Sequence, residues 1–380
     1  MSGVGRNDDT QKRTQKLRPY SVLEMIRLIG HWSCATSLYL VRCEIRLQMM
    51  RLFLPVVFTA VLFTFAADAS ADVFNMTAGQ SSISLAAIGD VGNTSDNGVG
   101  AVNYQYSIDK YDVTTAQYTQ FLNAVAKTDT YGLYHARMGS GNANVGIVQS
   151  GGPGTFAYSV VPGLENLPVS YVTWGDAARF VNWVQNGQPT GLEGNGTTET
   201  GAYTLSGANT DAALMAVNRN PGARYFIPTV DEWYKAAFYK GNGLSSGYWA
   251  YATQSDTTPS NVLSAIGTNN ANYDGTLTPD YFTNVGAFAS SPSHYGTFDQ
   301  CGDIVQWTEQ SLSGTARGLR GNSFASPAFQ LSSGSVGSGF APTDSERVGF
   351  RIGAIVPEPT TFLLAGMGLL GLMTRSRRKS

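Results

Sequence analysis

Two short blocks in the second half of the chain read Gly302-Asp303-Ile304-Val305-Gln306-Trp307 and Arg320-Gly321-Asn322-Ser323-Phe324. Glycines are frequent along the whole chain, which has 43 of them and only 14% charged residues. Such a composition favours short strands, many turns and long irregular connections over helical bundles. Because 42% of the 380 residues are hydrophobic, the chain can also bury a large core. We therefore expect a loop-rich α+β domain that folds without cross-links.

Hydrophobic spacing and capping residues predict three helices. The first runs from about Thr115 to Ala126, with apolar residues on one face. The second begins near Thr173, where residues 173–176 resemble a capping box. The third begins at Thr229, where residues 229–232 form a complete one.

The segments between these helices predict strands and loops. Residues 84–88 and 104–111 are expected to form strands, and the Gly, Asn and Thr-rich segments 130–165 and 186–220 to form surface loops. The chain also has 19 tyrosines and 6 tryptophans, which could line a carbohydrate or peptide groove. We expect most of them to lie in the core instead.

Six short blocks follow one another in a fixed order along the body of the chain. Each block alone carries little weight, but six in the right order and spacing are specific. Over about residues 75–353 the chain resembles the sulfatase-modifying-factor, or formylglycine-generating-enzyme, family. The resemblance implies one main domain at residues 72–353, with that family's loop-rich variant of the C-type-lectin-like fold. The blocks are residues 113–118, 167–174, 227–233, 302–307, 320–324 and 347–351.

The resemblance also indicates which residues of this chain stand at the positions of the family's active-site residues. Its founding enzymes oxidise a sulfatase cysteine to formylglycine, using two active-site cysteines that hold copper. Those two positions fall here at Ser326 and Leu331, while Ser323 matches the family's active-site serine. A hydroxyl and an alkyl chain cannot replace a thiolate pair as ligands of soft Cu(I). We therefore expect no copper and no catalytic residue of that kind.

Two calcium sites of the family carry over residue by residue. Carboxylate, amide and backbone oxygens are the mixed ligands that Ca²⁺ takes, and the alternative interpretation treats the same residues as turn formers. At one position, Gln306, the family usually has Glu, so that a charge is missing. The implied ligands are the side chains of Asn272 and Asp280 with the carbonyls of Tyr273 and Phe282 in the first set, and the side chains of Asp299 and Gln306 with the carbonyls of Gly302 and Ile304 in the second.

The chain has few cysteine and histidine residues. Cys34 and Cys43 precede the predicted export cleavage site, so the exported protein would keep only Cys301 and no internal disulfide. A lone cysteine of this kind is more often a small core residue than a nucleophile, although an altered oxidase that uses Cys301 remains an alternative. The chain has 3 histidines, too few for a histidine-rich iron or zinc centre. No nucleophile-elbow spacing around Ser323 supports a hydrolase.

The charges of the chain are segregated. Its formal net charge is −2, but residues 1–51 hold 9 of its 25 basic residues and the tail after Thr374 holds 4, whereas only 4 of 27 acidic residues precede Leu52. The acidic middle segment repels phosphate backbones, which argues against nucleic acid as a partner and favours divalent cations.

The N-terminal region predicts export. Met49-Met50-Arg51 is followed by an apolar run to Ala67 and by Ala69-Ser70-Ala71, as in a secretory signal peptide over residues 49–71. Residues 1–48 are too long and too mixed for an ordinary leader. We expect translation to start at Met49 or Met50, and the alternative is a genuine extension before a membrane anchor.

The C-terminal region predicts sorting. Residues 356–380 combine Pro357-Glu358-Pro359, a short apolar stretch and a basic end. Hydrophobicity and charge alone predict a short membrane stop, with the basic cluster on the cytoplasmic face. The segment resembles a PEP-CTERM sorting signal, which exosortases of Gram-negative bacteria process. The resemblance implies the export machinery and an exosortase as partners, and a place at the outer surface or in the extracellular polysaccharide.

These observations lead to one favoured function and two alternatives. We expect an exported, envelope-sorted protein whose domain is a non-catalytic binding or structural module, with extracellular polysaccharide or an exported protein as ligand. The first alternative is an oxidoreductase-type or other enzyme on the same fold, because fold does not fix function. The second is a domain that modifies co-exported proteins transiently, with a partner peptide held near Ser323 and Ser326.

Overall fold

The fold is that of a computed structural model, which describes residues 82–139, 146–277, 281–312, 314, 316–335 and 348–356. All of them belong to the second of two units, Ser70–Ser380. The predicted signal peptide at 49–71, the segment before it and residues 357–380 of the sorting signal lie outside the described residues. Among the residues described, no helix is both long enough and apolar enough to cross a membrane.

Three helices begin where capping residues predict them. Helix α1 spans Thr115–Val125, α2 spans Trp174–Gln185 and α4 spans Val230–Phe238. A short helix between α2 and α4, named α3, spans Asp211–Met215. Each of the three longer helices starts with a complete capping box, in which a threonine hydroxyl and the side chain three residues later satisfy each other's backbone amides. The sequence therefore places these helix starts to within one residue.

The cap of α2 gives a measurable prediction. The Thr173 hydroxyl accepts from Asp176 N at 3.1 Å, so Thr173→Val leaves a helix amide without that partner. We expect a loss of about 1 kcal/mol in the free energy of unfolding, measured by urea denaturation. Thr128→Val, at an exposed threonine, is the control and should leave stability within about 0.5 kcal/mol. Equal losses in the two variants would refute the capping role.

Three small sheets complete the architecture. The largest is antiparallel with the order β1-β2-β9-β5, a hairpin joins β3 to β4, and the third has the order β7-β6-β8 with β6 and β8 parallel. The last strand, β9, thus lies in the interior of the largest sheet. The strands span Leu85–Ile88 (β1), Tyr106–Asp109 (β2), Ile147–Ser150 (β3), Ala157–Val160 (β4), Tyr225–Phe226 (β5), Val305–Leu312 (β6), Ala316–Arg320 (β7), Val348–Gly349 (β8) and Gly353–Ile355 (β9).

Two segments predicted as plain loops hold regular structure. Residues 130–165 contain the hairpin β3–β4 and a 3-10 turn at Ala136–Met138, and residues 186–220 contain α3. In the second segment the order comes from distant contacts: the buried Asn182 amide donates to the carbonyls of Thr198 and Tyr203. Neither contact produces a periodic sequence pattern, which is why hydrophobic spacing does not find these elements.

The core packs α1 and α2 together through aromatic residues. Phe180 of α2 lies 5.4 Å from Phe121 and 5.2 Å from Phe350, in edge-to-face arrangements. Trp174, Trp233 and Trp307 are at most 1% exposed. The expectation that these tryptophans lie in the core is confirmed, and with it the expectation of a single α+β domain.

Candidate functional site

The loop that precedes β6 carries three of the predicted calcium ligands, Asp299, Gly302 and Ile304. Gly302 has φ +86°, and a Cβ there would lie 2.0 Å from the carbonyl oxygen of Asn272. Only glycine permits this approach. Asp303 N then donates to the Asn272 carbonyl at 2.9 Å, so the loop and the segment that contains Asn272 are held side by side.

Two segments of the first predicted calcium set lie in contact in the part that the structure describes. Asn272 is 1% exposed, and its Nδ2 donates to the carbonyl of Tyr281 at 2.6 Å. This contact joins Asn272 to the segment that holds Phe282, whose ring packs at 5.0 Å on Phe324. Tyr273 follows Asn272 directly, and Asp280 lies outside the described residues.

Asp303 belongs to the same group of residues and is not among the predicted ligands. Its Oδ1 accepts from Asn272 Nδ2 at 2.6 Å and from Thr283 N at 3.0 Å. Burial holds the pKa of this carboxyl well above its usual range. Its position between Gly302 and Ile304, inside the block that the family resemblance rests on, is the signal that could have found it.

Three buried oxygen atoms of this group have no hydrogen-bond partner among the described residues. They are Oδ1 of Asn272, Oδ2 of Asp303 and Oγ1 of Thr283. An unsatisfied buried polar group lowers the stability of the fold by about 1–3 kcal/mol. Binding of a water molecule or a cation to these atoms would remove that cost. Carboxylate, amide and hydroxyl oxygens suit a hard cation such as Ca²⁺.

The second predicted set has a different arrangement. Gln306 is fully buried, and its Oε1 accepts from Trp233 Nε1 at 2.6 Å and from Arg351 Nε at 2.7 Å. Two donors use both lone pairs of that oxygen. Asp299 Oδ2 accepts from Gly286 N at 2.6 Å, and burial raises the pKa of Asp299 to about 6. The second set comes from one short stretch of chain, residues 299–306, but the side-chain oxygen of Gln306 is already bound to Arg351.

The two positions to which the resemblance assigns the family's cysteines, Ser326 and Leu331, differ in their surroundings. Ser326 Oγ accepts from Ser323 N at 3.0 Å and lies 3.5 Å from Ser323 Oγ, within one tight turn. Leu331 is 2% exposed and belongs to an apolar cluster with Trp233 and Cys301. Neither position offers a thiol, and no group of three His, Cys, Asp or Glu side chains that could hold a metal ion occurs in the described residues.

Cys301 is a core residue. It is 4% exposed, its thiol donates to the Leu331 carbonyl at 3.3 Å, and Ala252 N donates to its sulfur at 3.3 Å. Burial raises the pKa of the Cys301 thiol to about 12. At neutral pH the sulfur is therefore protonated, and a protonated buried thiol is a poor nucleophile and a poor copper ligand.

Comparison with known proteins identifies the domain. The family model described as "Sulfatase-modifying factor enzyme 1-like domain" matches residues 79–354, and the model described as "PEP-CTERM protein-sorting motif" matches residues 356–379. A comparison with curated proteins gave no match. The sorting motif marks the chain for export and for sorting at the cell envelope by an exosortase.

Several solved structures are similar to this chain. The structure titled "Crystal Structure of CarF" has a TM-score of 0.49 at 21% identity and covers 72% of this chain and 99% of its own. Treponema denticola variable protein 1 has 0.46 at 18%, with 74% and 98% covered, and PvdO from Pseudomonas aeruginosa has 0.41 at 14%, with 76% and 100% covered. The assignment rests on the family model, which spans most of the chain: this protein belongs to the family with a sulfatase-modifying factor enzyme 1-like domain, followed by a PEP-CTERM sorting motif.

Proposed function

We propose that the domain is a non-catalytic binding or structural module of the cell envelope, stabilised by calcium. The observation that carries this proposal is the replacement of the thiol pair. Ser326 and Leu331 stand at the two positions that the family uses for copper, and Leu331 is packed into an apolar cluster. A Cu(I) centre needs thiolate or thioether ligands, which neither residue supplies.

Cys301 does not restore the missing chemistry. Its sulfur is hydrogen-bonded inside the core and its thiol pKa is raised to about 12, so only about one sulfur in 10⁴ is a thiolate at pH 8. The altered-oxidase alternative requires an accessible thiolate at this position. The burial of Cys301 supports the non-catalytic function over that alternative.

Calcium is the cofactor that the first predicted set favours. The unpartnered oxygens of Asn272, Asp303 and Thr283 would join the family positions Asp280, Tyr273 and Phe282 in a shell of oxygen ligands. Six to eight such ligands, with water completing the shell, are usual for Ca²⁺. In the second set the Gln306 oxygen already accepts two hydrogen bonds, so we assign calcium to the first set.

A polar surface supports ligand binding. Two neighbouring cavities with volumes of about 640 and 380 Å³ share Val217, Asn218 and Arg219 in their walls. The smaller one also contains Glu309, whose carboxylate pairs with Arg219 at 2.7 Å. Amides, hydroxyls and a fixed ion pair suit the hydroxyl groups of a polysaccharide or the backbone of an exported protein.

The direct test measures metal content and thermal stability of the exported protein. We expect bound calcium, no copper uptake, and a melting temperature that falls when a chelator removes calcium. Saturating calcium at about 1,000 times its dissociation constant adds about 4 kcal/mol of stability. Tight copper binding or a redox activity that depends on Cys301 would overturn the proposal and support an enzyme.

A matched pair of variants locates the calcium. Asp303→Asn keeps the shape of the side chain but removes a charge from the first set, and should weaken calcium binding about tenfold or more. Asp274→Asn makes the same change at an exposed position nearby and should leave binding unchanged. Equal calcium affinity in the two variants would argue against this site.

The state of Cys301 gives a separate prediction. In a Cys34→Ser, Cys43→Ser background, alkylation by iodoacetamide at pH 8 should be at least about 1,000 times slower in the native protein than in urea, because the buried thiol is protonated. Ser326→Cys in the same background places a thiol at a half-buried position and should react faster. Equal native and unfolded rates for Cys301 would contradict its place in the core.

A further inference from the structure

A second buried acidic site lies outside the positions that the family assigns to metal. Asp109 ends β2, and Asp112 follows three residues later in the turn that leads to α1. Both carboxylates are 2% exposed. Both residues line a cavity of about 250 Å³, and none of Asn272, Asp299, Gly302, Ile304 and Gln306 is among its lining residues.

One oxygen of each carboxylate is already engaged. Asp109 Oδ2 accepts from Ile352 N at 2.9 Å, and Asp112 Oδ2 lies 3.3 Å from Arg351 Nη2. The other oxygen of each, Oδ1, has no hydrogen-bond partner among the described residues. The cavity therefore adjoins two carboxylates that each have an oxygen left to bind a ligand.

The charge balance favours a cation over an anion. The guanidinium of Arg351 is fully buried and is shared, because it also donates to the carbonyls of Asp109, Lys110 and Phe298 and to Gln306. One shared positive charge faces two carboxylates. Burial raises the pKa of Asp112 to about 8 and that of Asp109 well above its usual range, so a bound cation would stabilise the ionised form of both.

The remaining wall is partly polar. Asn166 and Asn284 line the cavity, whereas the side-chain oxygens of Thr114 and Gln117 are engaged in the capping box of α1. A water molecule takes up about 30 Å³, so the cavity has room for a cation together with several waters. Cations held by one or two carboxylates and by water are typical of Mg²⁺, and a larger mixed shell is typical of Ca²⁺.

We infer that Asp109 and Asp112 bind a hydrated hard divalent cation in this cavity. The carboxyl groups of Asp109 and Asp112 would hold the ion and would so link the end of β2 to the turn before α1. The ligands inferred here, Asp109 and Asp112, are different residues from Asn272 and Asp303, although the carboxyls of Asp112 and Asp303 interact electrostatically.

The test is calorimetric titration of the chelator-treated protein with CaCl₂ and, separately, with MgCl₂. Asp112→Asn should abolish one binding event, or weaken it more than tenfold, and leave the event that depends on Asp303 in place. Since Asp112 also contacts Arg351, a second variant avoids the core: Asn284→Lys, at an exposed residue of the cavity wall, places a positive charge beside the ion.

Asn284→Lys should weaken the same event about tenfold by charge repulsion. Its matched control is Asn209→Lys, which makes the same change at an exposed residue of the 640 Å³ cavity and should bind like the unaltered protein. Identical titrations of the two lysine variants would overturn the inference. So would a protein whose every binding event for both metals disappears in Asp303→Asn, because the cavity would then hold only water.

Discussion

Replacing Arg351 by methionine is expected to lower the free energy of unfolding by about 3–5 kcal/mol, since removal of one partner leaves a buried charge without compensation. The guanidinium is fully buried. It joins Asp112 near the N-terminus of α1, Gln306 of β6 and the carbonyl of Phe298. Urea denaturation followed by tryptophan fluorescence measures the loss.

Two controls separate this effect from a general loss of arginine. Arg224→Met, at an exposed residue, should change the free energy of unfolding by no more than about 0.5 kcal/mol. Arg351→Lys keeps the charge but loses the planar fork that serves several acceptors, so its stability should fall between those of the other two. An Arg351→Met protein with an unchanged urea midpoint and slope would show that the guanidinium is not the link between these segments.

The second large effect is expected at Glu199. Its Oε1 accepts from Arg179 Nε at 2.7 Å, and its Oε2 accepts from Gly207 N at 2.7 Å. The side chains of the pair are 2% and 3% exposed. Glu199→Gln keeps the shape but leaves the Arg179 charge without its partner, and should cost about 3–5 kcal/mol.

An exposed ion pair provides the comparison for Glu199. Lys240 and Asp256 lie 3.1 Å apart, with the Asp256 side chain 57% exposed, and exposed pairs contribute at most about 1 kcal/mol. Urea denaturation of Asp256→Asn and Glu199→Gln should therefore give clearly different midpoints. Similar midpoints would mean that the segment 186–220 is held by contacts other than this pair.

The helix starts could be predicted because their signals are local. Thr114, Thr173 and Thr229 each bond to an amide only three residues away, so the pattern is visible in the sequence. The segment 186–220 lacks such a signal. Glu199 is buried by Arg179, twenty residues earlier, and by the turn at Gly207, and nothing in a Gly, Asn and Thr-rich stretch indicates that pairing.

The candidate site was predictable to a similar extent. The family resemblance grouped Asn272 with Phe282, and the hydrogen bond from Asn272 to the Tyr281 carbonyl brings the two segments into contact. It did not single out Asp303, although that residue lies inside the block 302–307, because the unpartnered Oδ2 of Asp303 beside Asn272 is visible only in the structure. Asp109 and Asp112 were missed for the same reason. Both contact the buried guanidinium of Arg351, which lies 239 residues after Asp112 in the chain.

The interior place of β9 has a consequence for biogenesis. Gly353–Ile355 pairs with β2 on one side and β5 on the other, and the sorting motif begins at residue 356. A chain that emerges from a translocation pore N-terminus first must wait for its last strand before β2 and β5 can complete their ladders. The largest sheet can therefore be completed only when the residues directly before the sorting motif are available.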